Sequence, residues 1–220
     1  MRYGHVLIPG IASILSAALL LGCSHPSVED KAKMSNVKTD TTTVERHGIF
    51  AVLETSMGTM EAELYPGDAP KTVANFVGLA EEHYYDGVIF HRISKGFVIQ
   101  GGDPTGKGTG GKTFTGKPLD DELDPSTSSY KAGYMKGVLA MANKGRPSTG
   151  TSQFFIMLDD ITRLPKDYST FGKVIAGLDV VDAIGQAAIT PELGPTDGRP
   201  KSPIVIKHLT IHRYPEPEKK

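Results

Sequence analysis

Residues 90–111 read FHRISKGFVIQGGDPTGKGTGG. The stretch sets one arginine, Arg92, among apolar and amide side chains and then turns glycine-rich. That mix suits gripping a peptide better than gripping a phosphate. A second run, LAMANKGRPSTGTSQFFIML at 139–158, repeats the recipe with Asn143, Gln153 and Phe155 among small and apolar residues.

Working outward, short apolar runs recur at 88–92, 97–100, 138–141, 154–158, 171–175 and 204–211, each bounded by Gly, Pro, Asn or Asp. Ile49 to Glu54 and Thr59 to Tyr65 flank the turn Ser56-Met57-Gly58, the pattern of a hairpin. Helices are expected at two places. Asp68 can cap and Pro70 suits a first turn, with Val73, Phe76, Val77 and Ala80 forming one apolar stripe that ends near His83. Leu178 to Ile184 is the second. Many short strands with few helices mean a mainly β fold, a barrel or a sandwich, and local pattern does not choose between them.

The glycines of the opening stretch invite nucleotide readings that the context rejects. Gly106, Gly108 and Gly111 fit G-x-G-x-x-G, yet Lys112 to Pro118 has no helical period to follow them. Counted from Gly101 the loop approaches a Walker pattern, but Gly108 stands where the magnesium-reaching hydroxyl belongs. The glycines read as scaffold that tolerates positive φ. His208 and His212 alternate along a terminal strand without an acidic or cysteine companion, and Ser152 lies outside any nucleophile elbow. No metal, cofactor or nucleophile chemistry is expected.

The chain has 220 residues, 39% of them hydrophobic, with a formal net charge of −1 at pH 7. That is enough for one sizeable core and shows no basic footprint for nucleic acid. Residues 1–22 read as a signal peptide: Arg2 is the only charge, and an apolar run extends from Val6 to Leu21. The following Leu20-Leu21-Gly22-Cys23 resembles the lipobox of bacterial lipoproteins, which implies lipidation at Cys23 and a membrane-anchored, exported protein. Cys23 is the one cysteine, so the domain has no disulfide and depends on its core. Residues 23–47 are polar and aperiodic, a flexible tether; the folded unit is expected at 48–213 and a charged, proline-punctuated tail at 214–220.

The stretches at 90–111, 137–156 (GVLAMANKGRPSTGTSQFFI) and 171–184 (FGKVIAGLDVVDAI) resemble, in order and spacing, the signature regions of cyclophilin-type peptidyl-prolyl isomerases. The resemblance covers about 48–213. It implies a closed eight-stranded antiparallel β-barrel capped by two α-helices, a rotamase activity on X-Pro bonds that assists folding of exported proteins, and no cofactor. By motif position it makes Arg92 the catalytic arginine, and Phe97 and Phe155 walls of a proline pocket to which Val98, Leu164 and Tyr168 add surface. Gln100 and Gln153 would orient the arginine and the peptide; Ala142 and Asn143 would line the adjoining groove, Asn143 holding substrate backbone. Val98, Arg163 and Tyr168 stand where methionine, tryptophan and histidine are usual in eukaryotic members. Arg163 in place of that tryptophan implies weak cyclosporin binding. A non-catalytic chaperone or proline-segment binding module on the same fold is the alternative, and partners on either reading are proline-containing segments of a monomeric protein's clients.

Overall fold

The computed structural model describes residues 46–215. The signal peptide, Cys23 and nearly all of the tether lie outside the described residues, as does the tail beyond Pro215. In chain order the elements are β1 (Gly48–Thr55), β2 (Gly58–Leu64), α1 (Pro70–Glu81), β3 (Arg92–Ser94), β4 (Val98–Gly101), α2 (Ser128–Ala132), β5 (Val138–Met141), β6 (Phe154–Met157), β7 (Thr170–Ala176), α3 (Leu178–Gln186), β8 (Ile189–Gly194), β9 (Asp197–Pro200) and β10 (Ile206–Tyr214). All ten strands join one antiparallel sheet in the order β10-β1-β2-β7-β5-β6-β4-β3-β9-β8.

The fold is mainly β, as expected, but the closed eight-stranded barrel is corrected. Among the described residues there are ten strands, and no ladder closes the sheet. Residues 87–90 approach the start of β10 through a single bridge, Ile89 to Val205, with Phe90 N–H donating to the Ile204 carbonyl and Gly87 N–H to that of Ile206. The contact cannot lengthen. Past Phe90 the pairing passes to β4, where His91 N–H donates to the Gln100 carbonyl at 3.0 Å, and at the other end Gly87 at φ 79° turns the chain away. The regular strand expected at 88–92 therefore begins only at Arg92. The two extra strands, β8 and β9, form a hairpin paired onto β3, and α2 makes a third helix.

Side chains along the central strands alternate between two faces. Ile93, Ile99, Ile156 and Leu139 lie in adjacent register on β3, β4, β6 and β5, all fully buried in the main core. Each such side chain contributes about 1.5–3 kcal/mol on leaving water. α1 lays Phe76 on this core, its ring 5.5 Å and edge-on from Phe154 and 5.1 Å from Phe171. α3 buries Val181 and Ile184.

The cap expected from Asp68 is also corrected. Ala69 is the N-cap of α1, with no side-chain bond of its own. The carboxylate of Glu122 instead accepts from Lys71 N–H at 2.9 Å and Thr72 N–H at 2.8 Å, and so satisfies first-turn donors from 50 positions away. Asp68 is engaged elsewhere, accepting from Ser129 N–H at the start of α2.

Candidate active site

One step along the same strands from the buried row lies its outward counterpart. Arg92 is opposite Gln100, Gln100 opposite Phe155, and Phe155 opposite Ala140, a row that crosses β3, β4, β6 and β5. Phe155, Val98, Ala140, Met157, Val138 and Tyr134 form a second apolar cluster, separate from the main core. Phe97, Ala142, Leu164 and Tyr168 pack partly buried against it. Every apolar residue assigned to the site thus falls in one basin on the outer face of the sheet.

The basin is braced from its far side. The Tyr168 ring meets Phe155 edge-on at 5.3 Å. The Tyr134 hydroxyl accepts from Tyr168 N–H at 3.0 Å and donates to the Tyr168 carbonyl at 3.1 Å. Burial pushes the Tyr134 phenol up to about 12, which keeps it a neutral donor. Tyr134 was not singled out in the sequence; nothing local marks it as the partner of a residue 34 positions on.

The polar edge of the basin is a single directed chain. The Arg92 guanidinium donates through Nη1 to Gln100 Oε1 at 3.2 Å. Gln100 Nε2 donates to Gln153 Oε1 at 3.0 Å, and Gln153 Nε2 to the Gly110 carbonyl at 2.8 Å. A guanidinium only donates. Its presence therefore dictates which way both amides face, and the orientation propagates to the loop backbone. Gln153 acts on Gln100, and Gln100 on the arginine.

On its other side Arg92 meets a residue that sequence reasoning missed. Nε donates to Asp197 Oδ1 at 2.9 Å and Nη2 to Oδ2 at 2.6 Å, a bidentate pair across 105 positions. The Arg92 hydrogen bonds hold the Asp197 carboxyl below the usual carboxylate range. Among the described residues three of the five guanidinium N–H groups are so engaged, which leaves one on each of Nη1 and Nη2.

Asn143 sits at the other edge with its side chain anchored to neighbouring backbone. Nδ2 donates to the Asp167 carbonyl at 2.9 Å, and Oδ1 accepts from Gly145 N–H at 2.9 Å. Arg163 is exposed near the rim.

The glycine-rich loop faces inward. Asp103, fully buried, accepts from the N–H groups of Thr105 at 2.8 Å and Gly110 at 3.0 Å and from the Thr105 hydroxyl. Donors that a phosphate would need are thus committed to a resident carboxylate. His208 places Nδ1 3.1 Å from Asp86 Oδ2 on the exposed face of β10.

Fold and site define a β-sheet protein with an open apolar basin flanked by one oriented guanidinium. The family model of cyclophilin type peptidyl-prolyl cis-trans isomerases matches residues 50–211. Peptidyl-prolyl cis-trans isomerase-like 3 of Homo sapiens is 40% identical over 163 residues, covering 74% of this chain and 96% of that protein. Peptidyl-prolyl cis-trans isomerase-like 2 of Gibberella zeae is 44% identical over 165 residues, covering 74% of this chain and 26% of that protein. The chain likewise spans 24% of peptidyl-prolyl isomerase relatives in Cryptococcus neoformans. Among solved structures, a cyclophilin type peptidyl-prolyl cis-trans isomerase of Cryptosporidium parvum superposes with a TM-score of 0.67 at 36% identity, covering 76% of this chain and 98% of that one. The same protein, crystallised in the presence of the dipeptide Ala-Pro, gives 0.66 at 35% identity. The chain belongs to the cyclophilin-type peptidyl-prolyl cis-trans isomerase family.

Proposed function

We propose that this protein catalyses cis–trans isomerisation of X-Pro bonds, with the proline ring seated on Phe155 and walled by Phe97, Leu164 and Tyr168. The observation that carries the reading is the outward row, in which Arg92 stands beside the basin with two N–H groups unclaimed among the described residues. Amide resonance raises a rotational barrier of about 18–20 kcal/mol. As the bond twists, the nitrogen lone pair localises and becomes an acceptor. A guanidinium N–H aimed at that atom stabilises the twisted state more than either planar one, which is the condition for acceleration. Each 1.36 kcal/mol of this difference is about tenfold in rate.

The basin fixes the ring while the preceding carbonyl swings, and its apolar walls strengthen the charged donor's hydrogen bond. Gln100, itself oriented by Gln153, adds one bond to the donor. The Asn143 side chain is fixed by its bonds to Asp167 and Gly145, and with its second N–H and remaining lone pair it holds substrate backbone in the adjoining groove. No bond is made or broken, so the proposed cycle draws on these residues alone.

The test is Arg92→Ala assayed by protease-coupled or NMR exchange measurements on a short X-Pro peptide. Turnover falls by about two orders of magnitude or more while the fold persists; a variant as active as the wild type refutes the mechanism. A binding module that needs no turnover would show the same peptide affinity in both and no rate difference.

The reading extends to place and clients. Leu20-Leu21-Gly22-Cys23 supports export and lipid anchoring through Cys23 on the non-cytoplasmic side of a bacterial membrane, with exported proteins as clients. Among the described residues no helix is long and apolar enough to cross a membrane.

A further inference from the structure

The Arg92–Asp197 pair has a geometry that goes beyond fastening a hairpin to a sheet. Asp197 opens β9, paired in register with Ser94, and its carboxylate reaches back to the side of the guanidinium that carries Nε and Nη2. The Asp197 side chain is 15% exposed and that of Arg92 29%, so the pair is drawn largely out of water on the Asp197 side. Side-on bidentate contact fixes both the plane of the guanidinium and its rotation within that plane. Gln100 alone, with one 3.2 Å bond to Nη1, fixes neither.

We infer that Asp197 is the positioning residue of the site: it locks the Arg92 guanidinium so that its two outward N–H groups face the basin, and it cancels the charge that would otherwise make the basin an anion site. The inference rests on the isomerase reading. It adds a second consequence, because an uncompensated guanidinium beside an apolar shelf attracts any small oxyanion, whereas the ion pair presents donors to a neutral prolyl nitrogen. The lowered Asp197 carboxyl is consistent with a pair that stays charged at neutral pH.

The hairpin that supplies Asp197 is itself tied to the site's other flank. Arg199, two residues on, donates through Nη1 to the Gly106 carbonyl of the glycine-rich loop and through Nε to Glu192 on β8. Rigidity at Asp197 is thus held from both strands of the hairpin.

The experiment compares wild type, Asp197→Ala, Asp197→Asn, Arg92→Ala and the Arg92→Ala/Asp197→Ala double variant, each checked for its folded circular dichroism spectrum. Asp197→Ala is expected to lower kcat about ten- to a hundredfold with KM little changed, since misorientation costs the transition state more than the ground state. Asp197→Asn, which keeps one acceptor oxygen, recovers part of the loss. In the Arg92→Ala background removal of Asp197 has no further effect. Sodium sulfate, compared with sodium chloride at equal ionic strength, inhibits Asp197→Ala but not the wild type. An Asp197→Ala variant with wild-type kcat and no sulfate sensitivity overturns the inference while leaving the isomerase reading intact. So does a variant whose loss is the same with and without Arg92, which marks a structural role. Full activity of Arg92→Ala removes the isomerase mechanism and this inference together.

Discussion

On the proposed function, Arg163 is a side chain at the rim that would set ligand preference without touching the reaction. It is exposed, two positions after Ile161 and next to Leu164, both of which pack partly into the basin. An arginine there ends in a hydrated charge on a flexible stem, where an indole would offer a rigid apolar plate. An apolar cyclic ligand such as cyclosporin therefore loses an anchoring surface. Inhibition of the purified domain is expected only in the micromolar range or above, and Arg163→Trp is expected to tighten it by about tenfold or more, as a buried aromatic anchor does. Nanomolar inhibition of the wild type, or no gain from the tryptophan, contradicts this account. Resemblance drew attention to Arg92, Phe97, Gln100 and Phe155, and the structure brings them together. Asp197 escaped because its partner is 105 residues away, and because its neighbours Gly194, Pro195, Gly198 and Pro200 speak locally for an irregular loop.

At the scale of elements, the loop between β4 and β5 has its own organising centre in Asp103. Burial pushes the Asp103 carboxyl up, but hydrogen bonds from Gly110 and Thr105 together outweigh it and leave the group below its ordinary value. The stabilisation is then present in full above the unfolded value of about 3.9 and lost as pH falls through the lower native one. At pH 7, Asp103→Asn is expected to cost about 1–3 kcal/mol in urea unfolding, the order of an unmade buried hydrogen bond. The gap from the wild type should close as pH drops below about 4; parallel curves across that range would show that the carboxylate is not what holds the loop. The strands β1, β2, β5, β6 and β7 were legible from their apolar runs and turns, and so were α1 and α3. The hairpin β8–β9 was not, because Pro191 and Pro200 depress strand propensity and survive only near a sheet edge. Nor could FFIM at 154–157 disclose its faces. All four side chains are buried, Phe154 and Ile156 in the main core and Phe155 and Met157 in the outer cluster, so the period-2 signal that separates core from site is erased.

For the molecule as a whole, the proposed anchor and the described domain make separate demands. Lipidation at Cys23 predicts that a palmitate analogue labels the full-length protein in cells and that Cys23→Ala abolishes the label and releases the protein from the membrane fraction; undiminished labelling of the variant removes the anchor from the account. The domain's part is set by its outer-face basin, a shelf and not a tunnel. Phe97, Gln100, Leu164 and Tyr168 all keep part of their surface open to solvent. A shelf of this kind needs no chain end to be threaded and no lid to lift before release. On the proposed function, a proline in the middle of a long polypeptide, or in a loop that projects from an already compact partner, would be laid down sideways and lifted off again, so the reach of the protein would be limited by how far a loop protrudes and not by how much of its owner has unfolded.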